Sequence, residues 1–285
     1  MSVVTAEREQ RVLEPAPLHR PNKRWTRFLL PGFTGLMIAY LMSPVFVMIL
    51  YGFNNIPGER QTPKFWGFTI HWYKELFAIQ GLTTAIKNSL IIAPTAAVVA
   101  TIIGTFLGLA LGRYLFRGKG AVDFFIFLAI AVPEIVLGSS LLSMFVQARA
   151  SLGLGTILLS HIAFDVPFVA VTVQARVAGM DRSLEDAAQD LFADPVTTFF
   201  KVTLPQILPG IFAGFLLAFV LSLDDFVITQ FVSGQTETFP IWVWGSTRIG
   251  LPPQVNVMAT LLFTAGVVIS IANVAAQRLR RSRAA

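Results

Sequence analysis

Long apolar runs decide what this chain can fold into. They lie at roughly 28–53, 88–112, 121–147, 156–175, 209–233 and 255–276. Each approaches or exceeds the ~20 residues that a helix needs to cross ~30 Å of hydrocarbon. In lipid the backbone must satisfy its own polar groups, which leaves helices or closed barrels. These runs lack the alternation of barrel strands. Charged residues make up 13% of the 285 residues and hydrophobic ones 54%. A soluble domain carries about 25% charged residues, so too little polar side chain is present to coat a globule of this size. The expected fold is all-α and integral to the membrane, with six transmembrane helices. The first run is too long for the ~7–15-residue core of a signal peptide, and no A-x-A-like cleavage site follows it. It is predicted to stay as an anchor.

The basic residues set the orientation. Arg8, Arg11, Arg20, Lys23, Arg24 and Arg27 precede the first run. Arg113, Arg117 and Lys119 follow the second, Arg176, Arg182 and Lys201 the fourth, and Arg278, Arg280, Arg281 and Arg283 the last. The opposite side holds only Arg60, Lys64, Lys74, Lys87, Arg149 and Arg248. Sixteen against six places both termini in the cytoplasm. The resulting division is a basic, disordered cytoplasmic tail (1–27), a first transmembrane helix (28–53), an extracytoplasmic loop (54–87), a core transmembrane domain (88–276) and a second basic tail (277–285). This topology accounts for the net charge of +6 without any role for nucleic acid. In the outer loop Trp66, Trp72 and Tyr73 read as an interfacial aromatic belt, with substrate contact as the lesser reading.

The longest ordered-looking cytoplasmic loop runs from Arg176 to Gln206. Ser183-Leu184-Glu185-Asp186 is close to a capping box, and Glu185 and Asp186 fall in a first turn, where the helix dipole favours carboxylates. Ala187 and Ala188 offer a small, helix-favouring surface. Asp194-Pro195 repeats the start signal as N-cap plus proline at the first helical position. Leu204-Pro205 is expected to break or kink the second helix. The spacing predicts two short helices joined by a turn, a docking element rather than a slack connector.

This segment resembles the EAA motif, E-A-A-x3-G-x9-I-x-L-P, of the permeases of binding-protein-dependent ABC importers. Asp186 stands for the glutamate, Ala187, Ala188, Leu204 and Pro205 match, and Val202 replaces the isoleucine. Phe192 stands where the motif has glycine, and a turn with positive φ strains any residue with a Cβ. Trp72-Tyr73 with Glu75-Leu76-Phe77, Pro133-Glu134, Gly179-Met180-Asp181 and Ser222-Leu223-Asp224-Asp225 are similar to the spermidine/putrescine branch. The resemblance implies a type I ABC importer permease fold in a bacterial cytoplasmic (inner) membrane. It also implies that residues 183–205 couple to an ATPase through Ser183, Glu185, Asp186, Ala187, Ala188, Leu191, Phe192, Asp194, Pro195, Val202, Leu204 and Pro205. The implied partners are two ABC ATPase subunits, a second permease, most simply a related paralogue, and an extracytoplasmic solute-binding protein. ATP and Mg would be used by the ATPase and no cofactor bound by this chain.

Four carboxylates interrupt the apolar runs: Glu134, Asp165, Asp224 and Asp225. An ionisable group at the bilayer centre costs at least ~2.5–3.5 kcal/mol on insertion scales, so it faces a cavity or a partner. No lysine or arginine within the runs pairs with them, which suits a pathway for a cationic solute such as a polyamine. Asp224 and Asp225 are ~100° apart on a helix, so one of them can instead bond backbone freed near a kink. Glu134 follows Pro133, where a structural role is equally open. The same machinery could carry an opine, an amino acid, an aminophosphonate or thiamine. His161 reads as a hydrogen-bonded packing residue, and Gly104, Gly108 and Gly112 as a close-packing helix face. There are no cysteines and the histidines (His19, His71 and His161) are scattered, so neither a metal site nor a catalytic centre is expected. The sequence lacks the G-x-x-x-x-G-K-[ST] phosphate loop. An ion-coupled secondary transporter is the rival, but no inverted repeat supports it and the cytoplasmic loop would go unexplained.

Overall fold

The computed structural model describes residues 26–58 and 60–284. The expected basic tail therefore lies outside the described residues, except for Thr26 and Arg27, which begin the first helix. Packing divides the chain into two units, one ending at Gly52 and resuming at Ala259, the other Phe53–Met258.

In the first unit, helix α1 (Thr26–Gly52) crosses most of its apolar run despite Pro31 and Pro44. Pro44 has no N–H for the Tyr40 carbonyl. The Ser43 hydroxyl takes that carbonyl instead, at 2.8 Å, which is how a helix in lipid tolerates proline.

The second unit opens with the loop after α1, which carries the short helix α2 (His71–Lys74). Asn54 organises it. Its side-chain amide donates to Lys64 O (2.9 Å) and its Oδ1 accepts from Trp66 N (2.8 Å). The Trp72 indole donates to Asn54 O (2.8 Å). Trp72 is buried, so it is a core residue of the loop rather than part of an aromatic belt. Trp66 is half exposed, with the Lys64 ammonium 4.1 Å above its ring.

Helix α3 (Gln80–Arg113) begins well before the predicted 88, shortening the expected 54–87 loop. Helices α4 (Lys119–Ala131) and α5 (Glu134–Gln147) replace the single span expected at 121–147, with a bend of 104° between them. Pro133 disfavours helical geometry at Val132, which is extended (φ −68°, ψ 129°). Helix α6 (Leu154–Ala178) matches the fourth run. In the loop after it come α7 (Ser183–Asp190) and α8 (Pro195–Thr198). A π-helical turn (Phe199–Thr203) then leads into α9 (Leu204–Asp224). The predicted run to 233 is not continuous, because α10 (Val227–Val232) is separate. Helices α11 (Phe239–Thr247) and α12 (Gln254–Ala284) complete the chain. The expected tail at 277–285 is thus helical as far as Ala284. Among the described residues no strand forms beyond an isolated bridge between Asn54 and Phe68.

Length and composition give four membrane-crossing helices: Phe28–Gly52, Gln80–Arg113, Leu154–Ala178 and Pro195–Asp224. The bent α4–α5 pair can form a fifth, and Gln254–Val268 is a shorter apolar stretch. A count of six is not reached by length alone.

The core of the second unit is the packing of α3, α6 and α9, around Ala97, Ala100, Val169, Val173, Ile207 and Ala218. Glycines let α3 and α6 touch backbone to backbone. A Cβ on Gly108 would sit 2.5 Å from Ala170 O, and one on Gly104 2.7 Å from the Val169 Cβ. Small residues in such a seam supply the dispersion contact that drives helix association where lipid removes the hydrophobic effect. Gly108→Ala should therefore lower the thermal stability of the purified chain in detergent by about 1–3 kcal/mol. Gly155→Ala, which meets nothing within 4 Å, should not. Equal effects of the two would show that the seam is not tightly packed.

Candidate functional site

In the loop that follows α6, the capping box expected at Ser183 does not form. Ser183 is already inside α7, and its amide is taken by Asp181 Oδ1 at 2.9 Å. The Glu185 and Asp186 amides, which a Ser183 cap would have served, donate instead to the Arg182 carbonyl (3.0 and 3.1 Å). Glu185 is then free to reach outwards. It accepts from Arg113 Nε at 3.1 Å, with a second ion-pair contact from the same guanidinium, and from Thr203 Oγ1 at 2.8 Å. Arg113 ends α3 and Thr203 lies in the π-helical turn, so one carboxylate binds the loop to two core helices. Arg182 Nη2 also donates to Arg113 O (3.3 Å).

The second start signal behaves as expected. Asp194 Oδ2 accepts from the Val196 and Thr197 amides, both at 3.2 Å, with Pro195 at the first helical position. Pro205 does not break the helix. The wider π-helical turn just before it, where Leu204 N reaches Phe199 O, absorbs the proline, and the span continues to Asp224.

Between the two helices Phe192 adopts φ +60°, the conformation the motif glycine would supply. The Ala193 amide reaches Ala188 O (3.0 Å) and the Phe192 amide reaches Gln189 O (2.8 Å). This is a Schellman ending for α7, with phenylalanine at the left-handed position. A side chain there costs on the order of 1 kcal/mol. Asp186, Ala187 and Leu191 are exposed, as is Pro195, whereas Ala188, Val202 and Leu204 are partly covered.

The membrane acids divide into distinct environments. Asp225 lies at the break between α9 and α10 and bonds the amides freed there: Ile228 N at 3.3 Å and Thr229 N at 2.8 Å. It also accepts from Thr229 Oγ1 (2.6 Å), with His161 Nε2 at 3.2 Å. The single Thr229 hydroxyl hydrogen goes to Asp225, so the Thr229 oxygen accepts from His161 Nε2–H (2.8 Å). The imidazole Nδ1 lies 2.6 Å from Ser222 Oγ and completes the ring's hydrogen bonding. His161 is accordingly a hydrogen-bonded packing residue. Asp224 points away and is exposed, as the ~100° separation requires.

Glu134 is the first residue of α5 and exposed. Gly138 lets α5 approach α10: a Cβ there would lie 3.3 Å from the Ile228 Cα and 2.7 Å from the Phe231 ring. That approach brings Glu134 into electrostatic range of Asp225 and Asp224. Asp165 is fully buried, and neither carboxylate oxygen has a hydrogen-bond partner among the described residues. Only exposed Glu134 and Asp224 face open space in this conformation.

A cleft of about 520 Å³, starting at Phe226 next to Asp225 in the chain, is lined by Phe226, Gln230, Glu237, Ile241, Trp244 and Arg248. Phe226 and Trp244 stand 5.4 Å apart there. Sequence reasoning missed this cleft because its residues are spread over two helices and the loop between them, with no motif among them. It missed Arg113 and Thr203 for the same reason, although an arginine ending one helix and a carboxylate-bearing loop predicted on the same side were a usable signal.

Residues 104–283 match the family described as "Binding-protein-dependent transport system inner membrane component". The chain is 38% identical over 253 residues to the spermidine/putrescine transport system permease protein PotC of Haemophilus influenzae, covering 88% of this chain and 96% of that one. It is 40% identical over 253 residues to the putrescine transport system permease protein PotI of Escherichia coli K12, covering 86% and 87%. Among solved structures it resembles a chain of a bacterial ABC transporter involved in the import of the acidic polysaccharide alginate. That likeness has a TM-score of 0.65 and 15% identity, and covers 92% of this chain and 99% of that one.

Burial alone would raise the Glu185 carboxyl. Hydrogen bonds from Arg113 and Thr203, with the charges of Arg113 and Arg182, outweigh it and hold the group below its ordinary value of 4.5. Because the folded value is depressed, ionised Glu185 stabilises the fold fully above pH ~4.5 and loses that contribution as pH falls through the folded value. The thermal stability of the wild type should exceed that of Glu185→Gln at pH 6, with the gap closing below about pH 4.5. A gap independent of pH would mean that the ion pair does not form.

Proposed function

This chain belongs to the binding-protein-dependent transport system inner membrane components, and from that premise we propose that it forms half of a translocation pathway for a polyamine of the putrescine/spermidine class. The observation that carries the substrate class is the grouping of Glu134, Asp224 and Asp225 by the breaks at Pro133 and Asp225. No lysine or arginine stands within the runs to neutralise them. A passing ammonium supplies the missing charge. Glu134 and Asp224 are the exposed contacts. Asp225, already bonded to two amides, a threonine and His161, fixes the wall they stand on. Asp165, enclosed here, joins the pathway in a conformation where the bundle has opened.

Polyamine import by this chain requires an energy source it does not carry. We assign that to two ATPase subunits using ATP and Mg, gripping residues 183–205 on the cytoplasmic face of a bacterial inner membrane. A second, related permease completes the pathway, and an extracytoplasmic binding protein delivers the solute. Both termini lie inside.

One observation favours a second solute class. The cleft that starts at Phe226 carries both Glu237 and Arg248, a pairing that suits a zwitterion such as an amino acid or opine. Uptake of labelled putrescine against an amino-acid panel by the reconstituted transporter separates the two.

In that assay Asp224→Asn and Glu134→Gln should each raise the putrescine KM about tenfold, the loss of one charge-assisted contact of ~1.5 kcal/mol. An unchanged KM in both variants removes these acids from the pathway. Ala188→Arg should abolish uptake while the protein remains in the membrane, and normal uptake would refute ATPase docking at this loop.

A further inference from the structure

Phe192 is 97% exposed and Leu191 beside it 82% exposed. The backbone of Phe192 is left-handed, at φ +60°. The two hydrogen bonds that close the turn use main-chain atoms only, so glycine would make them without strain. Within this chain the ring gains nothing from burial and adds backbone strain. A side chain unfavourable on both counts has its use outside the chain.

The surrounding charge says what covers it. Residues 181–194 contain Asp181, Glu185, Asp186, Asp190 and Asp194 against Arg182 alone, in a chain whose net charge is +6. Glu185 is engaged by Arg113 and Thr203, while the other four carboxylate residues are exposed. The anionic cytoplasmic leaflet repels such a segment, so the apolar tip is no membrane anchor. An apolar pocket rimmed by lysine and arginine fits both features.

We propose that Phe192, with Leu191 at its side, is an aromatic knob that seats in an apolar, basic-rimmed socket on the ATP-hydrolysing subunit. This rests on the docking reading of residues 183–205 given above and adds the residue that anchors it. The knob stands at the tip of a loop fixed by Glu185 to α3 and the π-helical turn, so it is presented in one orientation and little is lost in ordering it on contact. Anchors of this kind, an aromatic ring in a desolvated pocket, dominate interface affinity.

The test is the affinity of the full-length chain, in nanodiscs of zwitterionic lipid, for the ATPase subunit of its own transport system. Phe192→Gly and Phe192→Ala should weaken binding at least tenfold, and Phe192→Tyr should stay within about threefold of wild type. Phe192→Gly should leave the thermal stability of the chain alone unchanged or raised, an outcome that a merely structural phenylalanine would not give. Wild-type affinity in Phe192→Gly, with binding abolished by Ala188→Arg, overturns the knob while leaving the docking loop intact. Wild-type affinity in Ala188→Arg overturns the docking reading and the knob together. Phe192→Trp separates protein from lipid as the occupant. Its added fluorescence should shift to the blue only when the ATPase subunit is present. A blue shift in anionic nanodiscs without that subunit overturns the proposal in favour of the membrane.

Discussion

The Glu185 carboxylate accepts from Arg113 at the end of α3 and from Thr203 in the π-helical turn that leads into α9. Those two helices pack against each other and against α6 in the core of the second unit. A loop of two short helices would ordinarily swing on its connections. Here a partly buried ion pair, reinforced by a hydroxyl, ties it to the core. Were α7 displaced, the ends of α3 and α9 would move with it. The glycine seam keeps α3 and α6 in backbone contact, so such a motion would be carried as a rigid-body shift rather than dissipated in loose side chains.

Within the apolar region the interesting chemistry sits where helices fail. Lipid offers no partner to a freed amide or carbonyl, so each break must bring its own. At the α9–α10 break Asp225 supplies both oxygens to amides and its charge is steadied by His161 and Thr229. At the α4–α5 break the proline has no amide to satisfy, and Glu134 is left exposed at the start of α5. The same physical demand thus produces one satisfied acid and, close by, two acids, Glu134 and Asp224, with capacity to spare for a cation.

Much of this was legible in the sequence, and the failures have identifiable causes. Apolar run length predicted helices but is blind to direction, so the 104° bend at Val132–Pro133 went unread, although the proline was a local hint. The role open to one of the paired aspartates, bonding backbone freed near a kink, is the one Asp225 fills. Asp194-Pro195 was read correctly because an N-cap acts over three residues and has few competitors. Ser183 was misread because the helix starts one residue earlier, so the Arg182 carbonyl takes the amides its hydroxyl would have capped. The Arg113–Glu185 pair spans 72 residues, and no local pattern reports it. Trp72 looked interfacial by residue type, yet Asn54, 18 residues away, supplies the carbonyl that buries its indole. Phe192 is the instructive case. The motif demanded positive φ, the residue disfavoured it, and the fold sided with the motif.

A bracket that transmits force has a signature that simple docking lacks. In the reconstituted transporter with its ATPase subunits, the measurement is ATP hydrolysis and polyamine uptake side by side in Glu185→Ala, a variant that leaves the exposed loop surface in place but unties it from α3 and α9. Transmission through Glu185 predicts hydrolysis close to wild type with uptake reduced at least tenfold. Uptake that stays in proportion to hydrolysis would contradict it, for the loop would then drive the membrane helices without the bond on which the mechanism depends.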